Sequence, residues 1–165
     1  MKRSRFTKYA IVFGAFSAFT VSSYADSLFV YSNAGETMNN SSSATMNIDK
    51  NPAWDGPLAG SSWVSNVQSG DPSKAGFTSP ANETVVTFTD TFNIDGIPMD
   101  GILNVLADDT TSVSLNGVLL EAQASSTGNT YATCSDTTIG CLAITGGNVS
   151  LRGNLQTGLN TLSFD

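Results

Sequence analysis

The stretch from Gly101 to Glu121, Gly-Ile-Leu-Asn-Val-Leu-Ala-Asp-Asp-Thr-Thr-Ser-Val-Ser-Leu-Asn-Gly-Val-Leu-Leu-Glu, limits the fold more than any other part of the chain. It reads as an apolar strand, an Asp-Asp-Thr-Thr turn, a short alternating strand, an Asn-Gly corner and a further strand. Asn116-Gly117 between alternating apolar runs is a strong hairpin signal, because both central residues of a type I′ turn need positive φ. Strands joined this tightly are antiparallel.

The remainder carries the same signature. No segment has a convincing helical period, and Ser, Thr, Gly and Asn recur as they do in all-β sandwiches. Residues 84–94, Thr-Val-Val-Thr-Phe-Thr-Asp-Thr-Phe-Asn-Ile, form the clearest strand. Val86, Phe88, Phe92 and Ile94 share one face, while Thr87, Thr89, Thr91 and Asn93 take the other. Asp90 falls among the aromatic residues, an anomaly that a bulge or a loop edge would relieve more simply than a site would. Further strands are expected at Leu28 to Tyr31, Thr45 to Ile48, Ser62 to Asn66, Gly101 to Ala107, Ser112 to Leu115, Val118 to Glu121 and Asn148 to Arg152. An outer strand is expected at Asn160 to Phe164, with Leu162 and Phe164 inward. Trp54, between Pro52 and Gly56, belongs to a loop, and residues 69–82 form a long Gly/Pro/Ser loop.

The first 25 residues read as a signal peptide. Lys2, Arg3, Arg5 and Lys8 precede an apolar run from Ala10 to Val21, and Ser23 and Ala25 fit a small-residue cleavage site after Ala25. The run is short of the roughly 20 residues a bilayer span takes, so export is expected, with a retained signal anchor as the alternative. Residues 26–165 then form a single β-sandwich domain. They keep Lys50, Lys74 and Arg152 against 14 acidic residues, a net charge of −11. Nucleic-acid affinity rests on clustered Lys and Arg, so no nucleic-acid partner is expected, and an anionic membrane surface is disfavoured for the same reason. Cys134 and Cys141, with six residues between them, read as a local disulfide clip in an oxidising compartment. A metal site there has little support, since the chain lacks histidine and a second cysteine pair.

Trp54 to Trp63, Phe88-Thr-Asp-Thr-Phe92, Val105-Leu-Ala-Asp-Asp with Val113-Ser-Leu-Asn-Gly117, and Gly158-Leu-Asn-Thr-Leu162 together resemble exported bacterial PEP-CTERM-type proteins with a galactose-binding-like β-sandwich. The likeness covers roughly residues 50 to 165. It implies an antiparallel jelly-roll sandwich, of the kind used as an accessory module beside carbohydrate-active enzymes. No Pro-Glu-Pro motif, C-terminal apolar segment or terminal basic cluster occurs before Asp165. An eight-stranded jelly roll would need one more strand to cover the last edge. The chain is therefore expected to be a fragment missing that strand, with envelope association through a sorting signal beyond residue 165.

Candidate ligand-binding residues are Trp54, Asp108, Asp109, Asn116 and Tyr131. Asp108 and Asp109, with Asn116 and turn carbonyls, offer oxygen ligands to calcium. Capping of the turn by the same side chains is the weightier reading, because no spaced Asp-x-Asp-x-Asp-Gly pattern is present. No other cofactor is expected. Trp54 and Tyr131 offer flat rings to a sugar, with core packing and surface packing as their respective alternatives; Trp63 beside Val64 reads as core. Catalysis has little to draw on: a nucleophilic serine lacks its base, and no spacing selects a carboxylate pair of the glycosidase kind. The chain is expected to be a non-enzymatic envelope or matrix protein binding a polysaccharide or surface glycan through its loops. The alternatives are an adhesive module that binds another protein and, less favoured, a carboxylate-based glycan hydrolase.

Overall fold

A computed structural model of the chain describes residues 27–81, 84–108, 110–124 and 139–165. Among these residues there is no helix, and nine strands are present: β1 (Met38–Asn39), β2 (Met46–Asn47), β3 (Val64–Ser65), β4 (Phe88–Ile94), β5 (Ile102–Val105), β6 (Val113–Leu115), β7 (Val118–Glu121), β8 (Gly147–Ser150) and β9 (Gly158–Phe164). They make a five-stranded sheet in the order β1-β4-β9-β6-β7 and two ribbons, β2-β3 and β5-β8. Every pairing is antiparallel. The all-β, antiparallel class expected from the sequence is therefore present.

The Asn-Gly corner forms as its residue types require. Leu115 pairs with Val118, and the two residues between them have positive φ, 53° at Asn116 and 80° at Gly117. Asn tolerates this region and Gly adopts it without steric penalty. The turn is fastened from beneath by Asn160, which is fully buried. Asn160 Oδ1 accepts from Asn116 Nδ2 and from the Gln156 amide, both at 3.0 Å. Its Nδ2 donates to the Gln156 carbonyl at 2.7 Å and the Gly158 carbonyl at 3.0 Å. A buried side-chain amide is tolerated only when its groups are paired, and here both ends are.

Alternation decides which side of the sheet is core. Val113 and Leu115 of β6 and Leu162 of β9 are buried, and Phe92 and Phe164 pack with them. Opposite lie Leu103 and Val105 of β5, Val149 of β8, and Leu151. The β5-β8 ribbon thus covers the inner face of the large sheet, giving the two layers a β-sandwich needs.

Three expectations give way to the structure. Leu28 to Tyr31 enters no ladder, and all four side chains are exposed; the chain is tied down only afterwards, where the Ser62 amide donates to the Ser32 carbonyl at 2.8 Å. The segment at Gly101 to Ala107 does not continue the sheet of its neighbour β6, because β5 takes β8 as its partner. The last strand is not an outer one: β9 sits third in the order, between β4 and β6. The edge thought to need a covering strand is therefore already paired on both sides. Pairing of distant segments sets strand order, and no local pattern encodes it.

Candidate functional site

The two layers and the loops that bridge them enclose a cavity of about 340 Å³, at the lower end of the roughly 300–1,000 Å³ typical of small-molecule sites. One wall comes from the loop between β2 and β3. Asn51 makes an Asx turn, its Oδ1 accepting from the Ala53 amide at 2.9 Å, and this turns Trp54 inward. Lys50 Nζ donates to the Trp54 carbonyl at 2.8 Å. Trp54 and Trp63 then pack with ring centroids 4.7 Å apart and planes tilted by 41°, within the geometry aromatic pairs prefer. Trp63 Nε1 donates to the Asp55 carbonyl at 3.1 Å, satisfying the indole N–H. Tyr31, exposed at the rim, adds a further ring to the lining.

The opposite wall is the inner face of the large sheet, and it holds a carboxylate. The β4-β9 register runs unbroken from Phe88 opposite Phe164 to Ile94 opposite Gly158, so no bulge relieves the anomaly at Asp90. Directly opposed residues point to the same side of an antiparallel pair. Asp90 faces Leu162, which is buried, and therefore faces the cavity as well. Burial raises its pKa above the usual carboxylate value and the Glu36 charge adds to the rise, while a hydrogen bond from the Thr91 amide opposes both. The neighbouring β1-β4 ladder consists of Met38 opposite Thr89 and Asn39 opposite Phe88. Thr37 also lines the cavity, is 3 % exposed, and its buried Oγ1 has no hydrogen-bond partner. No Lys or Arg is present among the described lining residues.

The sequence candidates distribute unevenly around this site. Trp54 lines the cavity but is 6 % exposed, so its ring is offered mainly to Trp63. Trp63, expected in the core, is the more accessible of the two. Asp108 is exposed at the cavity border. Asn116 does not line the cavity. Its Nδ2 donates to the Asn154 carbonyl at 3.1 Å and to Asn160, and its Oδ1 accepts from the Thr161 amide at 2.9 Å. That side chain is engaged in the turn, so Asp108 and Asn116 do not form a common ligand set. Asp109, Tyr131, Cys134 and Ala25 lie outside the described residues, and with them the proposed Cys134–Cys141 clip; Cys141 itself is fully buried. No group of three or more potential metal ligands occurs among the described residues.

Tyr31 and Thr37 carry no sequence signal for a site. The signal at Asp90 was a carboxylate on an apolar strand face, which only the unbroken register turns into a cavity group. Comparison of the chain with family models, with curated proteins and with solved structures gives no match.

Proposed function

We propose that this chain is an exported, non-enzymatic protein of the bacterial cell envelope or extracellular matrix, and that its single domain, a jelly-roll sandwich of galactose-binding-like type, binds carbohydrate. The reading is carried by the cavity between the layers, whose lining brings together Tyr31, Trp54 and Trp63 with the carboxylate of Asp90. A sugar ring has an apolar face that stacks on an aromatic side chain and a polar edge that needs donors and acceptors. This wall arrangement matches both. The signal peptide ending at Ala25 and the Cys134–Cys141 clip belong to the same reading, since a local disulfide suits an oxidising compartment.

Titration calorimetry of residues 26–165 against a panel of bacterial and plant oligosaccharides tests it. Binding to at least one class is expected, weakened about tenfold or more by Tyr31→Ala, since a stacked ring contributes on the order of 1–2 kcal/mol. Tyr31 is exposed, so the fold should survive the change, with an unchanged circular dichroism spectrum as the check. A mature protein that binds no glycan, and is missing from the envelope fraction of its source, overturns the proposal.

A further inference from the structure

Four places in the chain join an aspartate or asparagine to a glycine: Asp55-Gly56, Asp95-Gly96, Asp100-Gly101 and Asn116-Gly117. Such a pair reacts with itself when the glycine nitrogen attacks the side-chain carbonyl carbon. Glycine has no Cβ to block the approach and leaves the backbone free to turn. The fold treats the four pairs differently. Asp55 is fixed at three points: its amide donates to the Cys141 carbonyl at 3.0 Å, its carbonyl accepts from Trp63 Nε1 at 3.1 Å, and its Oδ2 accepts from the Ala143 amide at 2.6 Å. Asn116 is held in the left-handed region by bonds to Asn154, Asn160 and Thr161. Asp95 Oδ1 accepts from Asn93 Nδ2, and the Thr157 hydroxyl donates to the Gly96 carbonyl at 2.8 Å. Asp100 is exposed, and its Oδ1 accepts from the Gly101 amide at 2.8 Å. Among the described residues its carboxylate takes no other hydrogen bond. The attacking nitrogen therefore already lies beside the group it would attack. Asp90 accepts from the Thr91 amide in the same way, but within a ladder and before a β-branched residue.

We propose that Asp100-Gly101 is a self-modification site, selected by the fold over the other three pairs, that cyclises to a succinimide and reopens to isoaspartate. In the first step a bond forms between the Gly101 nitrogen and Asp100 Cγ. The carboxyl group loses its hydroxyl and the amide its proton, together one water. In the second step one water returns. Attack at the side-chain carbonyl restores aspartate, whereas attack at the backbone carbonyl breaks the original peptide bond and leaves the main chain running through Cγ. Water is the only co-reactant. The isoaspartyl form lengthens the backbone by one carbon at a tight place. The Leu151 amide donates to the Gly101 carbonyl at 2.9 Å, and β5 starts at the next residue, with Ile102 opposite Ser150. A Cβ on Gly101 would stand 2.9 Å from Leu155 Cδ1 and 3.2 Å from Leu151 Cβ, so the segment has little room to shift. Isomerisation therefore loosens the end of the β5-β8 ribbon. This inference is independent of the carbohydrate reading.

The test incubates the purified chain in mildly acidic buffer made with water enriched in heavy oxygen, then digests it in ordinary water for mass spectrometry. Each passage through the succinimide leaves one heavy oxygen on the residue concerned, and fragment ions locate it. In the folded chain Asp100 should take up label severalfold faster than Asp95 and Asp55, while Asn116 and Asp90 stay unlabelled. In concentrated urea the backbone constraints vanish, so the three Asp-Gly pairs should converge and Asn116, with its better leaving group, should react fastest. Asp100→Ser removes the carboxyl group and should abolish label at that position alone. After prolonged incubation the wild type should gain isoaspartate at residue 100 and melt at a lower temperature, with Asp100→Ser keeping its original melt. Label on Asp55 as fast as on Asp100 in the folded chain overturns the inference. So does the same order of rates in urea, since sequence alone would then set it. Isoaspartate at residue 100 with an unchanged melt would uphold the site and overturn its effect on the ribbon.

Discussion

Strands β4 and β9 pair over seven consecutive residues, whereas residues 48–81 contribute only the two-residue strand β3. The first region is held by a ladder with apolar side chains alternating beneath it. The second is held by scattered bonds that fit no repeat: the Asx turn at Asn51, the Asp55 amide to the Cys141 carbonyl at 3.0 Å, and the Asp71 amide to the Asp49 carbonyl at 2.9 Å. Yet the two regions face one another across the same cavity. A ladder fixes every residue by the same rule, while an irregular wall can place one ring or one carbonyl where a ligand needs it. The contrast is convenient to measure, because both tryptophans of the chain lie in the irregular wall. Tryptophan fluorescence therefore reports that region, and far-ultraviolet circular dichroism reports the ladder.

The largest expected effect is on the ladder side. Leu115 is fully buried in the cluster with Leu151 and Leu162, so Leu115→Ala should destabilise the domain by about 4 kcal/mol through lost burial and a residual cavity. Fluorescence and circular dichroism should shift together in urea; separate transitions would show that the irregular wall folds as an independent unit. Next is Asn160→Ala, at about 2–3 kcal/mol, because four hydrogen bonds disappear and the Gln156 amide and carbonyl lose the partner they have in Asn160. A loss below about 1 kcal/mol in the same urea series would show that water or a local rearrangement replaces those bonds.

Gly70→Ala probes the other side. A Cβ there would stand 1.9 Å from the Asp49 carbonyl oxygen, a backbone atom that cannot rotate away. About 2 kcal/mol of destabilisation is expected from the forced backbone shift, read first as a change in the Trp54–Trp63 fluorescence. An unchanged emission spectrum would disconnect this loop from the tryptophan pair.

The smallest effect is on pH dependence, and two carboxylates oppose each other. The folded-state pKa of Asp90 is raised by burial. Its contribution is therefore fully present below the ordinary value of 3.8 and is lost as pH rises through the raised one. Asp71 is lowered, chiefly by hydrogen bonds from the Ser73 amide and hydroxyl. It contributes above 3.8, and that contribution is lost as pH falls through its lowered value. Asp90→Asn should thus raise stability at neutral pH relative to acid, and Asp71→Asn should lower it. Urea midpoints measured at both pH values decide this, and identical shifts in the two variants would contradict the assignment of opposite environments.

Much of the strand content was readable in advance. Val118 to Glu121 matches β7 end to end, and the segment read as a strand from Thr84 contains β4, which begins only at Phe88. The early part of that segment shows why the boundary moved: β1 pairs with β4 at Phe88 and Thr89 and provides no ladder partner before them. The site was much less legible. Pro52 and Gly56 place Trp54 in a loop but say nothing about whether its ring turns in or out. Asn116 was readable as a turn residue, not as a partner of Asn160, 44 residues away.

What the sequence determined by itself was local: the positive φ of an Asn-Gly corner, the alternation that sends Leu162 and Phe164 inward, and the antiparallel class that follows from short connections. These depend on a residue's own backbone preferences and on a period of two along the strand. Only the tertiary structure decided that β9 lies between β4 and β6, that Trp54 is covered while Trp63 is less so, and that Asp90 lines the cavity. Those outcomes depend on which distant segments come together, and the free energy of that choice is shared among many contacts, with no single residue carrying it.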